Sequence, residues 1–403
     1  MILTEKHVIR KNHMNFNECD HLAFLSKNLY NSTLFAVRQH YFSNGEYLNY
    51  NNANKIFTIE GQSDYVALPR KVSKHTMMLV DRSFKSFFKL LEKKRNGEYD
   101  KTVRIPKYLD KTKGRQVVHY EKGALSFKKK EGYLYLSQTN IYLKTKVTSD
   151  QIQFARIVPR GEHYVIEVGY RVPQVDNLHD NGRYLSLDLG VNNLVTAVSN
   201  VTAPILFNGR PLKSINQFYN KRFASLQSKL GEEVKSSKQI KTLHQRRLNK
   251  INDYLHKASR MLVNHAVENS INTIVIGYNK EWKQDINIGR RNNQNFASIP
   301  FARLIEMIEY KASLVGINTI RQEESYTSKC SFLDDEQVRK ANSYSGRRVS
   351  RGLFKTGQGL RVNADVNGAL NILRKALKVS WNDQLWSDCV AACSVPKRVN
   401  IPA

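Results

Sequence analysis

Cysteine is scarce in this 403-residue sequence: Cys19, Cys330, Cys389 and Cys393 are the only four. Four scattered thiols are too few for a disulfide framework and suit a reducing compartment. Acid is also in short supply. Asp and Glu total 35 against 64 Lys and Arg, for a formal net charge of +29. A compact chain with that excess repels itself unless it meets a polyanion, and the largest biological polyanions are nucleic acids. A generically basic, ribosome-associated protein would carry the same charge signature. No run of about 18 apolar residues occurs, so no transmembrane helix is expected. The opening MILTEKHVIRKNH lacks the apolar stretch of a secretory signal. The expectation is a cytoplasmic or nucleoid-associated protein with no membrane partner. P-loop, His-Glu-x-x-His and Gly-x-Gly-x-x-Gly motifs are absent, as are internal repeats.

What is present is ordinary in bulk, with 41 % apolar and 25 % charged residues. That composition argues against wholesale disorder, and the length allows two or three domains. The opening residues 1–10 fit an edge strand. A helix follows over about 15–41, with Leu22, Leu25, Leu29 and Leu34 near helical spacing. A second helix spans about 71–94, where Phe84, Phe87, Phe88, Leu90 and Leu91 form a stripe flanked by bases. From 117 to 172 the period becomes two, in GALSFKKK, GYLYLSQT, QIQFARIVPR and HYVIEVGYRV. These short strands suggest a small antiparallel barrel or sandwich, with the helices inserted into it. Tyr108, Tyr120, Phe127, Tyr133 and Tyr135 interleave with lysines. Such rings stack on bases or fill a barrel core, and the core reading takes most of them.

A third regime begins at 183. RYLSLDLGVNNLVTAVSN reads as two buried strands around a tight turn, and APILFNGRP as a third strand. One long basic helical region is expected over 212–269, then a strand at 271–278 and an Asn- and Arg-rich loop at 286–295. A helix at about 300–314, the strand GINTIRQEE, a polar segment and a helix in NADVNGALNILRKALK complete the pattern. Three consecutive strands and then alternating helix and strand give an α/β sheet of RNase H type.

Two acids stand out in that regime. Asp188 lies mid-strand in LSLDLGVNN, where an ionised carboxylate costs several kcal/mol unless it is paired or metal-bound. A salt-bridged or capping aspartate is the plain alternative. Asp365 opens the last helix, where an ordinary N-cap is the plain alternative. Together, in so basic a chain, they resemble the metal-binding set of a nuclease. Such enzymes use clustered carboxylates to hold two Mg²⁺ ions ~3.5–4 Å apart, one activating water and one stabilising the leaving oxygen. A third acid is therefore expected.

DLGVNN, NGRPLKSINQFYNKR, the long basic helix, YKASLVGI and NADVNGALNIL together resemble the RuvC-type nuclease half of TnpB, the RNA-guided nuclease of insertion sequences related to Fanzor proteins and type V CRISPR effectors. The similarity spans roughly residues 184–378. It implies a multidomain α+β protein in five parts. A wedge-like β-barrel (1–12 and 107–178) would hold a helical recognition domain (13–106). A RuvC-like nuclease domain (179–326 and 359–380) would carry a target nucleic-acid-binding insert (327–358), followed by a C-terminal tail (381–403).

The sequence departs from the family pattern twice. Where most TnpB-like strands matching TIVIGY end in glutamate, this one has Gly277, which cannot ligate a metal. The neighbouring strand ends in RQEESYTSKCSFLD, and its acids Glu323 and Glu324 stand at the carboxyl end of a parallel strand, where ligands collect. ESYTSK resembles a family subgroup with a relocated glutamate, which makes Glu324 the expected third ligand and Glu323 the alternative. TnpB proteins also commonly carry two Cys-x-x-Cys pairs for a structural zinc. Here that segment holds only Cys330, so no structural zinc is expected. Cys389 and Cys393 read as helix-packing residues.

The resemblance thus implies a transposon-encoded endonuclease in which Asp188, Glu324 and Asp365 hold two Mg²⁺ ions, with Mn²⁺ able to substitute. Its partners would be a guide RNA from the transposon end and double-stranded DNA bearing a short target-adjacent motif, with base pairing supplying specificity. Arg347, Arg348 and Arg351 beside Tyr344 are the expected nucleic-acid contacts of the insert. A guided binder without cleavage and a protein-only transposase or resolvase remain as alternatives, and monomer and dimer both stay open.

Overall fold

The computed structural model describes residues 1–231, 234, 236–279, 289–350, 352–377 and 396–402. Arg351, Cys389 and Cys393 lie outside the described residues, so the roles expected of them are not addressed. The chain divides into two compact units, Met1–Pro173 and Gln174–Ala403.

In the first unit, β1 (Ile2–Ile9) leads into four helices: α1 (Phe16–Asn44), α2 (Tyr50–Ile59), α3 (Ser63–Val66) and α4 (Arg70–Arg95). Then come β2 (Val118–Glu121), β3 (Leu125–Ser126), β4 (Tyr133–Leu136), β5 (Tyr142–Lys144), β6 (Ile152–Arg160) and β7 (His163–Arg171). The expected barrel does not close. The strands form an antiparallel sheet in the order β1-β7-β6-β2 and a separate meander β3-β4-β5. β2 is four residues long and runs straight into a 3₁₀ turn at Lys122–Ala124, which diverts the chain into the meander. Nor do the helices have a core of their own. Leu22, Leu29, Val72, Met77 and Phe84 share one apolar cluster with Val118, Ile157 and Ile166 of the sheet. Tyr120 is fully buried in that cluster, whereas Tyr108 is exposed, so the aromatics divide between core and surface.

The second unit is built on β8 (Tyr184–Leu189), β9 (Asn193–Ser199) and β10 (Ile205–Asn208), followed by α5 (Arg210–Gln227) and α6 (Lys238–Glu268). β11 (Thr273–Tyr278), α7 (Arg290–Ala297), α8 (Phe301–Ser313) and β12 (Asn318–Glu323) come next. A small sheet of β13 (Arg347–Ser350), β14 (Leu353–Lys355) and β15 (Arg361–Asn363) precedes α9 (Ala364–Leu377), and β16 (Lys397–Val399) completes the unit. The main sheet has the order β12-β11-β8-β9-β10-β16. β8, β9 and β10 are antiparallel neighbours, whereas β11 and β12 run parallel to β8.

Two helices replace the single one expected over 212–269. Ser237 starts the second, its hydroxyl accepting a 3.3 Å hydrogen bond from the Ile240 amide. The expected Asn/Arg loop is helical from Arg290 onward. Each Asn costs such a helix only about 0.7 kcal/mol relative to Ala, and Phe296 packs on Phe301 with ring centroids 5.0 Å apart.

Strand periodicity assigns the sheet's two faces. Leu185, Leu187 and Leu189 of β8 join Ile274 and Ile276 of β11 in one cluster with Leu255 and Leu262 of α6 and Ile305 of α8. The intervening positions face α9: Val275 joins Ala369, Ile372 and Leu373 in a second cluster. The Ser186 hydroxyl donates to the Ala369 carbonyl at 2.7 Å. Asp188 and Gly277 share this parity and therefore the α9 face.

Candidate active site

The three parallel strands bring their carboxyl ends together. Ile276 pairs with Leu187 and Gly277 with Gln322, so Asp188, Gly277 and the end of β12 lie side by side across the sheet. The Asp188 Oδ2 atom packs against α9 at Gly368, 3.3 Å from where a Cβ on that residue would stand. An alanine there would push on the carboxylate. Asp188 keeps a partial opening to solvent, but protein atoms surround its carboxyl closely. Burial, then the charges of Glu324 and Asp365, push its proton affinity well above the usual carboxylate range, with Arg348 pulling the other way. Asp188 therefore feels both of the other expected acids.

Asp365 is not the cap of α9. Asn363 takes that role, its Oδ1 accepting from the amides of Asp365 at 3.0 Å and Val366 at 3.2 Å. This releases the Asp365 carboxylate, which accepts from Asn193 Nδ2 at 2.8 Å and from Arg348 Nη2 at 3.0 Å. Asn193 is the second Asn of DLGVNN and was not singled out from the sequence. The guanidinium of Arg348, expected on nucleic acid, pairs with Asp365 in this structure.

The two glutamates behave differently. Glu323 is half exposed and ion-paired to Lys375, while it also accepts from the Ser325 amide at 2.9 Å. Burial works against its ionisation, but Lys375 and the Ser325 donors outweigh it and hold the carboxyl below the ordinary range. Glu324 turns the other way: its Oε1 lies 3.5 Å from the point a Cβ on Gly277 would occupy. Of the two, only Glu324 contributes to the field on Asp188.

In the insert, Arg347 is exposed on β13 and Tyr344 is half-buried, its hydroxyl accepting from the Ala341 amide at 3.3 Å. Cys330 is fully buried, and its Sγ lies 3.5 Å from the Gln337 carbonyl and 3.8 Å from that of Arg339. Burial raises its thiol pKa, which disfavours the thiolate a metal needs. Carboxylates close the turns around it: Asp334 accepts from the Gly357 amide at 2.6 Å, and Glu336 from the Ser331 amide at 2.7 Å.

Among the described residues, no three His, Cys, Asp or Glu side chains stand close enough to form a ready metal cage. The donor set nonetheless fits a hard divalent cation. Carboxylate oxygens held together are what such a cation neutralises, and burial, then the charges of Glu324 and Asp365, already disfavour ionised Asp188 without it.

Two family profiles match the second unit and its approach. One, OrfB_IS605, described as a probable transposase, covers residues 165–283, and the Cas12f1-like TNB domain covers residues 301–372. The TnpB-like protein ORF457 of Acidianus two-tailed virus is 28 % identical over 210 residues, or 49 % of this chain and 43 % of that relative. Over these stretches the chain is similar to TnpB-like proteins. The alignment spans under half of that TnpB-like relative's length. Among solved structures, a Cas12f1–sgRNA–target DNA complex aligns with a TM-score of 0.39 at 15 % identity, covering 94 % of this chain and 100 % of that one. A CRISPR–Cas12f ternary complex aligns with a TM-score of 0.37 at 14 % identity, covering 88 % and 81 %.

The sequence signal for the capping role was available. Asn363, Asn367 and Asn371 recur every four residues in NADVNGALNIL, a polar line on an otherwise apolar helix.

Proposed function

We propose that this TnpB-like chain is an RNA-guided, Mg²⁺-dependent DNA endonuclease of RuvC type, acting next to a short flanking motif. One observation carries the reading: the Glu324 carboxylate stands over Gly277, and its charge, like that of Asp365, reaches Asp188. A strand that lost its usual acid thus has an acid in the same place, delivered from its neighbour. The strand order and the OrfB-type match support an RNase H-like nuclease core, and the charge of +29 supports a polyanionic partner.

In this scheme Asp188, Glu324 and Asp365 hold the metal, and Asn193 orients Asp365. Arg348 balances the acids' charge until metal arrives and then faces the nucleic acid with Arg347 and Tyr344. Bound Mg²⁺ would supply an activated water and charge neutralisation at the leaving oxygen. The first unit would serve as the recognition half, and a transposon-end RNA and its paired DNA would run along the basic surface by charge and shape.

The relocated site also leaves room for a guided binder that does not cut, because Gly277 itself brings no ligand. The test is cleavage of a matched plasmid with a randomised flank by protein co-expressed with its downstream transposon-end RNA. Mg²⁺-dependent cutting that is lost in Asp188→Ala and Glu324→Ala supports the nuclease. Binding without cutting by the wild type supports the binder. Cutting by RNA-free protein supports a protein-only enzyme.

A further inference from the structure

The turn after Glu324 is held in a way the site's acids do not explain. Tyr326 adopts a left-handed backbone at φ +68°, a conformation that is strained for a non-glycine residue. Such a turn persists only where its surroundings hold it. Thr327 is buried and closes it, donating from its hydroxyl to the Glu324 carbonyl at 2.8 Å and from its amide to the same carbonyl at 3.3 Å.

α9 holds Thr327 in turn. Asn371, with no exposed surface, donates from Nδ2 to the Thr327 carbonyl at 2.9 Å and to the Cys330 carbonyl at 2.7 Å. One turn earlier, Asn367 is 1 % exposed; its Nδ2 donates to the Cys330 carbonyl at 2.9 Å and its Oδ1 accepts from the Phe332 amide at 3.0 Å. Arg374 continues the line, donating to the Phe332 carbonyl at 2.7 Å. Buried polar groups on an apolar helix are costly unless hydrogen-bonded, and these spend their bonds on the backbone of the turn, which fixes its position. The same helix carries Asp365 in its first turn. Asn371, Asn367 and Thr327 therefore tie the backbone of one acid to the helix that presents another.

We propose that Thr327 and Asn371 are positioning residues for the relocated carboxylate: they fix Glu324 over Gly277 and so set the affinity of the acid site for a divalent metal. The assignment rests on the nuclease reading above. It replaces the rigidity that a glutamate on β11 would get from its own strand with a hydrogen-bonded brace from α9. Outer-shell braces of this kind change metal affinity by roughly 10- to 100-fold when removed.

The test is Mn²⁺ binding to the full-length protein by calorimetry, with thermal unfolding of the same samples and cleavage by the RNA-loaded protein. Thr327→Val keeps the shape and loses the hydroxyl, Thr327→Ser restores it, and Asn371→Leu removes the carboxamide. Thr327→Val is expected to weaken Mn²⁺ binding by about tenfold or more and to raise the Mn²⁺ concentration needed for half-maximal cleavage. Thr327→Ser should return both to within about threefold of wild type, and the unfolding midpoints should not track the affinities. Should Asn371→Leu fail to fold, the Val and Ser pair carries the test alone. Thr327→Val binding Mn²⁺ like wild type overturns the assignment. So does Ser failing to rescue, or a loss of affinity that simply follows a loss of folded protein. A wild type that neither binds Mn²⁺ nor cuts overturns the nuclease reading itself and takes this assignment with it.

Discussion

Glu324 and Gly277 occupy one site from two strands: the Glu324 Oε1 atom sits 3.5 Å from where Gly277 would place a side chain. The same imaginary Cβ would lie 2.7 Å from Ile372 Cδ1 and 3.1 Å from the Leu187 carbonyl. A side chain at Gly277 would therefore need Ile372 to move aside and the Leu187 carbonyl to give by a few tenths of an ångström.

Gly277→Glu is accordingly expected to destabilise the protein and abolish cutting. Gly277→Ala should cost about 1–3 kcal/mol through overpacking. Shortening the clashing side chain with Ile372→Val should recover part of that cost, as a double-mutant cycle of chemical denaturation midpoints would reveal. Additive losses would mean that Ile372 is not the obstacle.

The paired glutamates separate role from neighbourhood. Glu324→Gln should reduce cleavage by at least about 100-fold while leaving binding of matched DNA intact. Glu323→Gln breaks only a half-exposed ion pair with Lys375. It should cost no more than about 1 kcal/mol and cut within a few-fold of wild type. Equal losses from both would show that the segment acts through its fold and not through one acid.

Asp188 links chemistry to stability. Its folded-state pKa is raised, by burial and then by Glu324 and Asp365. The metal-free folded protein thus binds this proton more tightly than the unfolded chain does. Stability is lost as pH rises from the unfolded carboxylate value through the folded one, and the penalty is absent below both. Asp188→Asn, which removes the charge, should raise the melting midpoint in chelator at neutral pH by the equivalent of about 1 kcal/mol or more. The gain should vanish near pH 3. The same variant should lose divalent-metal stabilisation. A melting curve in chelator that falls below wild type at neutral pH would contradict the repulsion.

Cys330 supplies a negative control. Its thiol lies against the carbonyls of Gln337 and Arg339 inside an insert closed by Asp334 and Glu336. A strong zinc chelator should leave the melting midpoint unchanged, in contrast to domains whose folding energy is metal binding. Cys330→Ser should still fold. A chelator-induced drop would point to a thiolate–metal contact.

Much of the second unit was legible in the sequence, because its elements are long and strongly periodic. The apolar alternation of β8 and β11 and the helical stripe of α9 follow from side-chain direction alone, and they place Asp188 on a strand of the sheet and Asp365 on the helix packed against it. The excess of base over acid was legible from composition alone. The barrel was not: whether short strands close depends on which edges meet, and here the short β2 turns away into a separate meander. The break between α5 and α6 was missed although Gly231 and the acids Glu232 and Glu233 interrupt the basic stretch in sequence, and one serine hydroxyl caps the start of the second helix. The choice between Glu323 and Glu324 could not be derived from spacing. Adjacent residues at a strand end point opposite ways, and only the position of Lys375 on α9 and the gap over Gly277 decide which faces which. Arg348 on Asp365 and the asparagine brace on Thr327 are likewise long-range contacts between side chains far apart in the chain. Local pattern determined the elements and their faces; tertiary packing alone decided which acids meet, because it sets distances that no periodicity encodes.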